Sequence, residues 1–472
     1  MIKKSTEAEI KAFFTFNPTS EQELTVHKIA HFLQSPSSEA LFLLKGYAGT
    51  GKTTVVSALV KMMLANQMKV FLLAPTGRAA RVFSTYANTL AMTIHRKIYR
   101  QETYGDLESH FKLNENKHTN TLFIVDEASM IGHHNHSNNQ FGSGSLLDDL
   151  IKYVYQGKHC KLMLIGDQGQ LPPVGSVNSM ALDANQLKSY GLDVTEIEMT
   201  QVVRQAEDSG ILYQATLLRQ AMAAGSCDLL PKIAASRFPD IEVVSGEDLL
   251  ESLDNAYYQW GIEETIIITR SNKRANLYNQ GVRARILDRE EELERGDWLM
   301  IAKNNYYWAE QNNQNGFLAN GEMAEVKRVQ HQTELHGFDF AYVELKFPEH
   351  PDMEMETMIL LNTLRTETPT LSREENEQLF TSVLADYEDI SVKRERVQAI
   401  KKDMYYNALQ VKYAYAITCH KSQGGQWHTV FLDGAFLPDK MRNEEGFRWL
   451  YTAMTRATDK LYLVNYPSDG VE

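Results

Sequence analysis

Short, uninterrupted apolar runs punctuate the chain, and each ends at a polar or glycine-containing turn. They fall at residues 41–44, 70–74, 122–125, 162–165, 266–268, 430–432 and 461–464. Runs this short, apolar at successive rather than alternate positions, predict strands covered on both faces, as in a parallel sheet flanked by helices. The stretches between them carry a helical period at residues 21–33, 54–61, 208–224 and 447–457, with Thr19 or Ser20 placed to cap the first. The pattern predicts an α/β chain in two units, the second beginning near Gln205. That pattern breaks at Gly296. Residues 296–302, 321–329 and 340–347 alternate as antiparallel strands do, which predicts a small β-barrel module inserted in the second unit. Residues 371–409 are highly charged and predict one or two helices elaborating the insert. Residues 96–119 are polar and turn-rich, and read as a small insertion in the first unit.

The turn after the first apolar run carries the strongest chemistry. Gly46-Tyr-Ala-Gly-Thr-Gly-Lys-Thr53 is a G-x-x-x-x-G-K-[ST] loop with a strand before it and a helix after it. Glycines at 46, 49 and 51 let the backbone curl until several N–H groups point inward at an anion. The helix start adds partial positive charge. Lys52 reaches the outer phosphates and the Thr53 hydroxyl ligates Mg2+. The chain is thus expected to bind a nucleoside triphosphate.

Other strand ends add candidates. Asp126 and Glu127 are adjacent carboxylates closing an apolar run, suited to Mg2+ and to polarising an attacking water. A further run ends in Gly166-Asp-Gln168, which places Gln168 to sense a γ-phosphate, followed by the rigid turn at residues 171–174. Arg204 is a candidate cation for transition-state charge, or a surface residue. Pro75, Thr76, Arg78 and Arg81 lie in a turn into a helix, where a nucleic-acid phosphate could sit, or where there is only a turn. Gln22, in the first turn of its helix, either reads an adenine edge or is solvated. His133, His134 and His136 lack a second ligand cluster and read as a solvated loop.

Bulk properties narrow the class. With 43% apolar and 23% charged residues over 472 positions, the chain is that of a soluble protein of two or three units. Its apolar runs are too short to span a bilayer, and the N-terminal residues lack a signal-peptide core, so a cytoplasmic protein is expected. Three scattered cysteines, Cys160, Cys227 and Cys419, with no C-x-x-C pair, argue against disulfides and a zinc site. A net charge of −13 disfavours coating nucleic acid through bulk positive charge. It leaves room for a local basic groove, since fields are screened within about 8–10 Å at cellular salt. Acidic clusters at residues 247–251, 288–294 and 374–377 lie away from these motifs.

In this order the motifs resemble superfamily 1 helicases over nearly the whole chain, nearest the RecD-like and Dda-like branch. The stretches His420-Lys-Ser-Gln-Gly424 and Tyr451-Thr-Ala-Met-Thr-Arg-Ala457 are especially specific to it. The resemblance implies an α/β fold of two RecA-like P-loop NTPase domains in tandem, with ATP in the cleft between them. Residues 1–95 and 121–204 would form the first domain, with a pin insertion at 96–120; residues 205–295 and 411–472 would form the second. Residues 296–410 would be an SH3-like β-barrel insertion with its helical elaboration. Residue by residue it implies catalytic roles for Lys52, Glu127, Gln168, Arg204 and Arg456. Nucleotide would be held by Gln22, Gly46, Ala48, Gly49, Thr50, Gly51, Lys52, Thr53, Thr54 and Gly424, and Mg2+ by Thr53 and Asp126. Pro75, Thr76, Arg78, Thr93 and His95 on one domain, with Thr418, His420, Lys421 and Ser422 on the other, would line a single-strand track. The resemblance does not single out the wedge of the pin, for which Phe111 and Tyr104 are the candidates. Where the branch usually has an acidic residue near the ribose, this chain has Gly425-Gln-Trp427.

The function implied is an ATP-dependent DNA helicase moving 5′ to 3′ on single-stranded DNA and opening tailed duplex DNA. A monomer could suffice, because one chain would hold both halves of the ATP site. Two other readings stand beside it: an RNA helicase of the same superfamily, since single-strand grooves read backbone and stacking, and a nucleotide-gated binding or remodelling subunit.

Overall fold

The computed structural model describes residues 3–102, 110–132, 142–203, 208–228, 231–312, 318–348, 353–434, 442–467 and 470–471. Every apolar run predicted as a strand is one. In chain order the first domain lays down β1 (Ala40–Gly46), β2 (Lys69–Ala74) and β3 (Ala91–Thr93), then a hairpin of β4 (Tyr99–Glu102) and β5 (His110–Leu113). It continues with β6 (Thr121–Val125), β7 (Lys161–Gly166) and β8 (Asp193–Met199). All but the hairpin form one parallel sheet in the order β3-β2-β6-β7-β1-β8. Successive residues of β1 serve opposite faces: Phe42 and Leu44 join one core, Leu41 and Leu43 the other, and all are fully buried. Covering both faces is what required uninterrupted apolar runs.

Helices α1 (Lys3–Lys11), α2 (Ser20–Gln34), α3 (Lys52–Ala65) and α4 (Gly77–Ala87) belong to this domain. Thr19 caps α2 in a reciprocal capping box with Gln22. Helix α4 buries Ala79, Ala80, Phe83 and Ala87, an i, i+3/i+4 stripe that fixes it on the sheet.

The second domain carries β9 (Ile241–Val244) and β10 (Thr265–Thr269) before the insertion. The insertion is a closed barrel of β11 (Trp298–Ile301), β12 (Met323–Leu335), β13 (Phe338–Lys346), β14 (Glu354–Leu360) and β15 (Leu409–Tyr413). Then come β16 (Ala416–Thr418), β17 (Trp427–Asp433) and β18 (Ala457–Val464), completing a parallel sheet ordered β16-β10-β17-β18-β9. The chain is thus two RecA-like α/β domains in tandem with a β-barrel set into the second. Residues 411–413, read from the sequence as opening the second part of that domain, belong instead to β15, which pairs with β11 and closes the barrel; the sheet resumes at Ala416. The charged stretch forms two helices, Arg373–Ala385 and Lys393–Lys401. They bury Leu379, Val383 and Ile400 in the same core as Phe338 and Phe340, so they buttress the barrel.

The β4–β5 hairpin lies where a pin was expected. Phe111, one of the two wedge candidates, is buried, its ring centroid 4.2 Å from that of Tyr306 in the barrel insertion. It ties the hairpin to the insertion and presents no edge to a duplex. Tyr104 lies outside the described residues, as do His133, His134 and His136. Among the described residues no helix is long and apolar enough to cross a membrane.

Candidate active site

The loop between β1 and α3 turns on two left-handed glycines, Gly49 at φ +75 and Gly51 at φ +84. Side chains there would be strained by the backbone and blocked by neighbours. A Cβ on Gly51 would stand 2.2 Å from Gln22 Nε2. Gln22 is buried rather than solvated: its Oε1 accepts from Thr19 N–H at 2.9 Å, which leaves its NH2 group beside the loop. Lys52 Nζ donates to the carbonyls of Gly46 at 2.7 Å and Tyr47 at 2.8 Å. Thr50 is buried and donates to the Tyr47 carbonyl, bracing the turn. Thr53 is exposed and Thr54 half-buried at the start of α3.

Three carboxylates gather near this loop. Asp126 Oδ1 accepts from Glu127 N–H at 2.8 Å, and Asp126 Oδ2 accepts from the Tyr86 hydroxyl at 2.5 Å. Glu127 is held at φ +52, a conformation costing a non-glycine residue about 1–2 kcal/mol, of the kind found at functional sites. Asp167 is buried, accepting from Gly169 N–H at 2.8 Å and from the Tyr451 hydroxyl at 2.6 Å. Removal from water, and then the neighbouring Glu127 charge, raises the Asp126 carboxyl above the usual carboxylate range; desolvation likewise raises Asp167. A site short of positive charge, with a hydroxyl at Thr53 and hard carboxylate oxygen at Asp126, fits Mg2+.

The second domain closes over this cluster. Arg456 is buried, its Nε donating to the Thr452 carbonyl at 3.0 Å and its Nη1 to the Gly425 carbonyl at 3.1 Å. The same Nη1 lies 3.7 Å from Glu127 Oε1. From the helix Glu444–Met454, the Tyr451 hydroxyl accepts from the loop's Ala48 N–H at 2.8 Å while donating to Asp167. Thr452 Oγ1 accepts from Leu171 N–H at 2.8 Å. Lys52, Glu127 and Arg456 therefore share one crevice built by both domains.

The structure separates the two glutamines after β7. Gln168 is exposed, so a role sensing a buried phosphate does not fit its side chain. Gln170 is buried, and among the described residues its Oε1 has no hydrogen-bond partner. In the sequence it is the second glutamine, directly ahead of Leu171-Pro-Pro173. Arg204 lies outside the described residues. Gly424, expected at the nucleotide, packs instead on α4, where an added Cβ would stand 2.6 Å from Ala79 Cβ. Beside the loop, a cavity of about 500 Å3 is lined in part by Lys45, Tyr47, Asp167, Gln168, Arg219 and Glu444.

The expected strand contacts fall on both domains. Thr76 caps α4, accepting from Ala79 N–H, with half-buried Pro75 before it. Arg78 crosses to the second domain, its guanidinium 3.8 Å from the Trp427 ring centre and donating to the Gln426 carbonyl at 3.3 Å. Thr93 is buried and caps the helix Ile94–Ile98, and half-buried His95 follows it. Removal from water lowers His95 to about 4, so its ring is neutral at physiological pH. Thr418, His420 and Lys421 are half-buried, and Lys421 donates to Asn320 of the barrel insertion. Ser422 departs from expectation: it is fully buried and its hydroxyl donates to the Cys419 carbonyl at 2.8 Å, which fits it to shape the turn rather than to touch a strand.

Residues 19–230 match the AAA domain family model, and residues 413–464 match the UvrD-like helicase C-terminal domain. An uncharacterized protein of Acanthamoeba polyphaga mimivirus is 24% identical, covering 94% of this chain and 98% of its own. The ATP-dependent RecD2 DNA helicase of Deinococcus radiodurans is 25% identical over 92% of this chain; the match spans 48% of that protein, about half its length. Among solved structures, the Pif1 helicase from Bacteroides in complex with ADP-AlF3 and single-stranded DNA aligns at TM-score 0.48 and 15% identity, covering 95% of this chain and 92% of that one.

Proposed function

We propose that this chain is a superfamily 1 helicase of the RecD-like type, a reading its two family matches and its RecD2 relative support, and that it hydrolyses ATP to move 5′ to 3′ along single-stranded DNA and to open duplex DNA with a 5′ tail. The observation that carries the reading is the shared crevice, in which Arg456 of one domain faces Glu127 of the other across the phosphate loop. A nucleotide entering there must be gripped from both sides, so binding and hydrolysis change how the domains stand to each other.

The chain's own groups supply the steps. Gln22 presents its NH2 to the base and the loop N–H groups take the phosphates. Lys52 leaves the Gly46 and Tyr47 carbonyls for the outer phosphates. Thr53 and Asp126 would hold Mg2+, which offsets phosphate charge when bound. Glu127 accepts the proton of the attacking water, and Arg456 neutralises charge on the transferring group. Gln170, rather than Gln168, senses the outer phosphate and passes its state through Leu171, whose N–H and carbonyl are held by Thr452 and Gln423 of the second domain. Strand contacts at Thr76 and Arg78 on one side, and Thr418 and Lys421 on the other, then separate and approach with each cycle.

The test is ATP turnover with and without single-stranded DNA, followed by unwinding of duplexes tailed at one end. Many-fold stimulation with opening only of 5′-tailed duplex supports the reading. Opening of 3′-tailed duplex alone reverses the polarity, stimulation by RNA in preference to DNA changes the substrate, and strand binding without stimulated turnover makes the chain a nucleotide-gated subunit.

A further inference from the structure

We propose that Tyr86 is a positioning residue that sets the Asp126 carboxylate for Mg2+ and makes that setting answer to the strand held at the other end of α4. The inference deepens the function proposed above and rests on it for the identity of the strand site and of the metal.

Tyr86 stands near the C-terminal end of α4, whose first turn holds Thr76 and Arg78. Its hydroxyl donates to Asp126 Oδ2 at 2.5 Å, while Asp126 Oδ1 accepts the Glu127 N–H at 2.8 Å. One donor on each oxygen fixes the rotation of the carboxylate plane and leaves each oxygen a second lone pair for the metal or its water. The tyrosine is itself held on three sides. Its ring stacks on Phe83 with centroids 5.0 Å apart, its carbonyl accepts from Ser57 of α3 at 2.9 Å, and its backbone belongs to a helix whose other face is buried in the sheet. Helix α3 begins at Lys52 of the phosphate loop. One residue thus touches the phosphate-loop helix, the metal carboxylate and the strand helix. Thr76 to Tyr86 spans about 15 Å of helix, and a helix moves as a rigid piece, so a shift at the first turn reaches the hydroxyl.

Tyr86→Phe keeps the ring and the Phe83 contact and removes only the hydroxyl. The measurement is binding of a fluorescent ATP analogue titrated with MgCl2, with and without an oligodeoxythymidine, alongside binding of the oligonucleotide alone. In the parent, the oligonucleotide is expected to shift the half-saturating Mg2+ concentration. In Tyr86→Phe that concentration rises about tenfold, the scale for losing a partner of a metal ligand, and no longer responds to the oligonucleotide. Nucleotide binding in EDTA and oligonucleotide binding alone stay within about twofold of the parent. A Mg2+ midpoint within twofold of the parent overturns the proposal, and a raised midpoint that still responds to the oligonucleotide overturns the link through α4. Ser57→Ala, which frees the carbonyl but spares the hydroxyl, is expected to leave the midpoint in place. A tenfold rise there would assign the effect to helix packing and overturn the proposal even were Tyr86→Phe not to fold. Absence of strand-stimulated hydrolysis in the parent, with the Mg2+ midpoint moved by Tyr86→Phe, would reject the helicase reading while leaving the role of Tyr86 toward Asp126 standing.

Discussion

Arg456 Nη1 lies 3.7 Å from Glu127 Oε1, although one residue follows the last helix of the second domain and the other ends a strand of the first. Both side chains are mostly withdrawn from water, so each is held where its charge matters most. In the function proposed, the guanidinium would neutralise phosphate charge from across the cleft and the carboxylate would take a proton from water. Glu127→Gln is expected to bind the fluorescent ATP analogue as the parent does while turnover falls by about 100-fold or more. Arg456→Ala is expected to lower turnover by about 1,000-fold. Steady-state ATPase assays beside nucleotide titrations check both; an Arg456→Ala protein hydrolysing ATP within tenfold of the parent would mean the second domain does not complete the site.

Gln168 and Gln170 give opposite expectations. Gln168 is exposed, and its truncation to alanine should leave strand-stimulated turnover within about twofold, as for surface substitutions generally. Gln170 is buried with an acceptor that no described residue satisfies. Its truncation should reduce stimulated turnover by about 100-fold, the scale for one donor lost at a developing charge. The comparison is made in one assay at saturating single-stranded DNA, and the reverse ranking would return the sensing role to Gln168.

Tyr451 joins Ala48 N–H to Asp167 through one hydroxyl. Tyr451→Phe takes the hydroxyl from buried Asp167 and from the half-buried Ala48 N–H, at a cost of about 1–3 kcal/mol, and the loss falls on the contact between the domains. The change in strand affinity caused by a non-hydrolysable ATP analogue should therefore shrink by about tenfold, which is about 1.4 kcal/mol. Fluorescence anisotropy of a labelled oligonucleotide, with and without the analogue, reads this directly. An unchanged ratio would show that the hydroxyl does not couple the domains.

Much of the fold was legible because its signals are local. The run at residues 41–44 must be apolar throughout to fill two cores, and Gly49 and Gly51 must be glycine to hold their backbone angles. The Asp126–Glu127 pair sits at a strand end for the same local reason. What escaped the sequence depends on distant partners. The strand Leu409–Tyr413 looks like its parallel neighbours, and only its pairing with β11 assigns it to the barrel. Gln168 and Gln170 are two positions apart, and their burial is decided by how the turn folds back. Ser422 reads as a polar contact until its hydroxyl is seen turned on Cys419. Tyr86 belongs to no motif; the partner of its hydroxyl is visible only in the fold, where α4 brings it to Asp126.

Lys421 is expected to link strand binding to pH. Burial lowers its ammonium to about 8, so it is charged below that pH and neutral above it. Lys412 is lowered to the same value, but it donates to the Thr366 carbonyl and hydroxyl. If Lys421 meets a strand phosphate, that contact is present at pH 7 and fades as pH rises through 8. Affinity for single-stranded DNA is expected to fall between pH 7 and pH 9 in the parent. In Lys421→Met it should be weaker at pH 7 and flat across that window, and its dependence on log salt should be shallower by about one. Lys412→Met should keep the parental drop. Oligonucleotide titrations at the two pH values, each over a range of salt, separate these outcomes, and a pH-dependent drop that survives in Lys421→Met would place the titrating contact elsewhere.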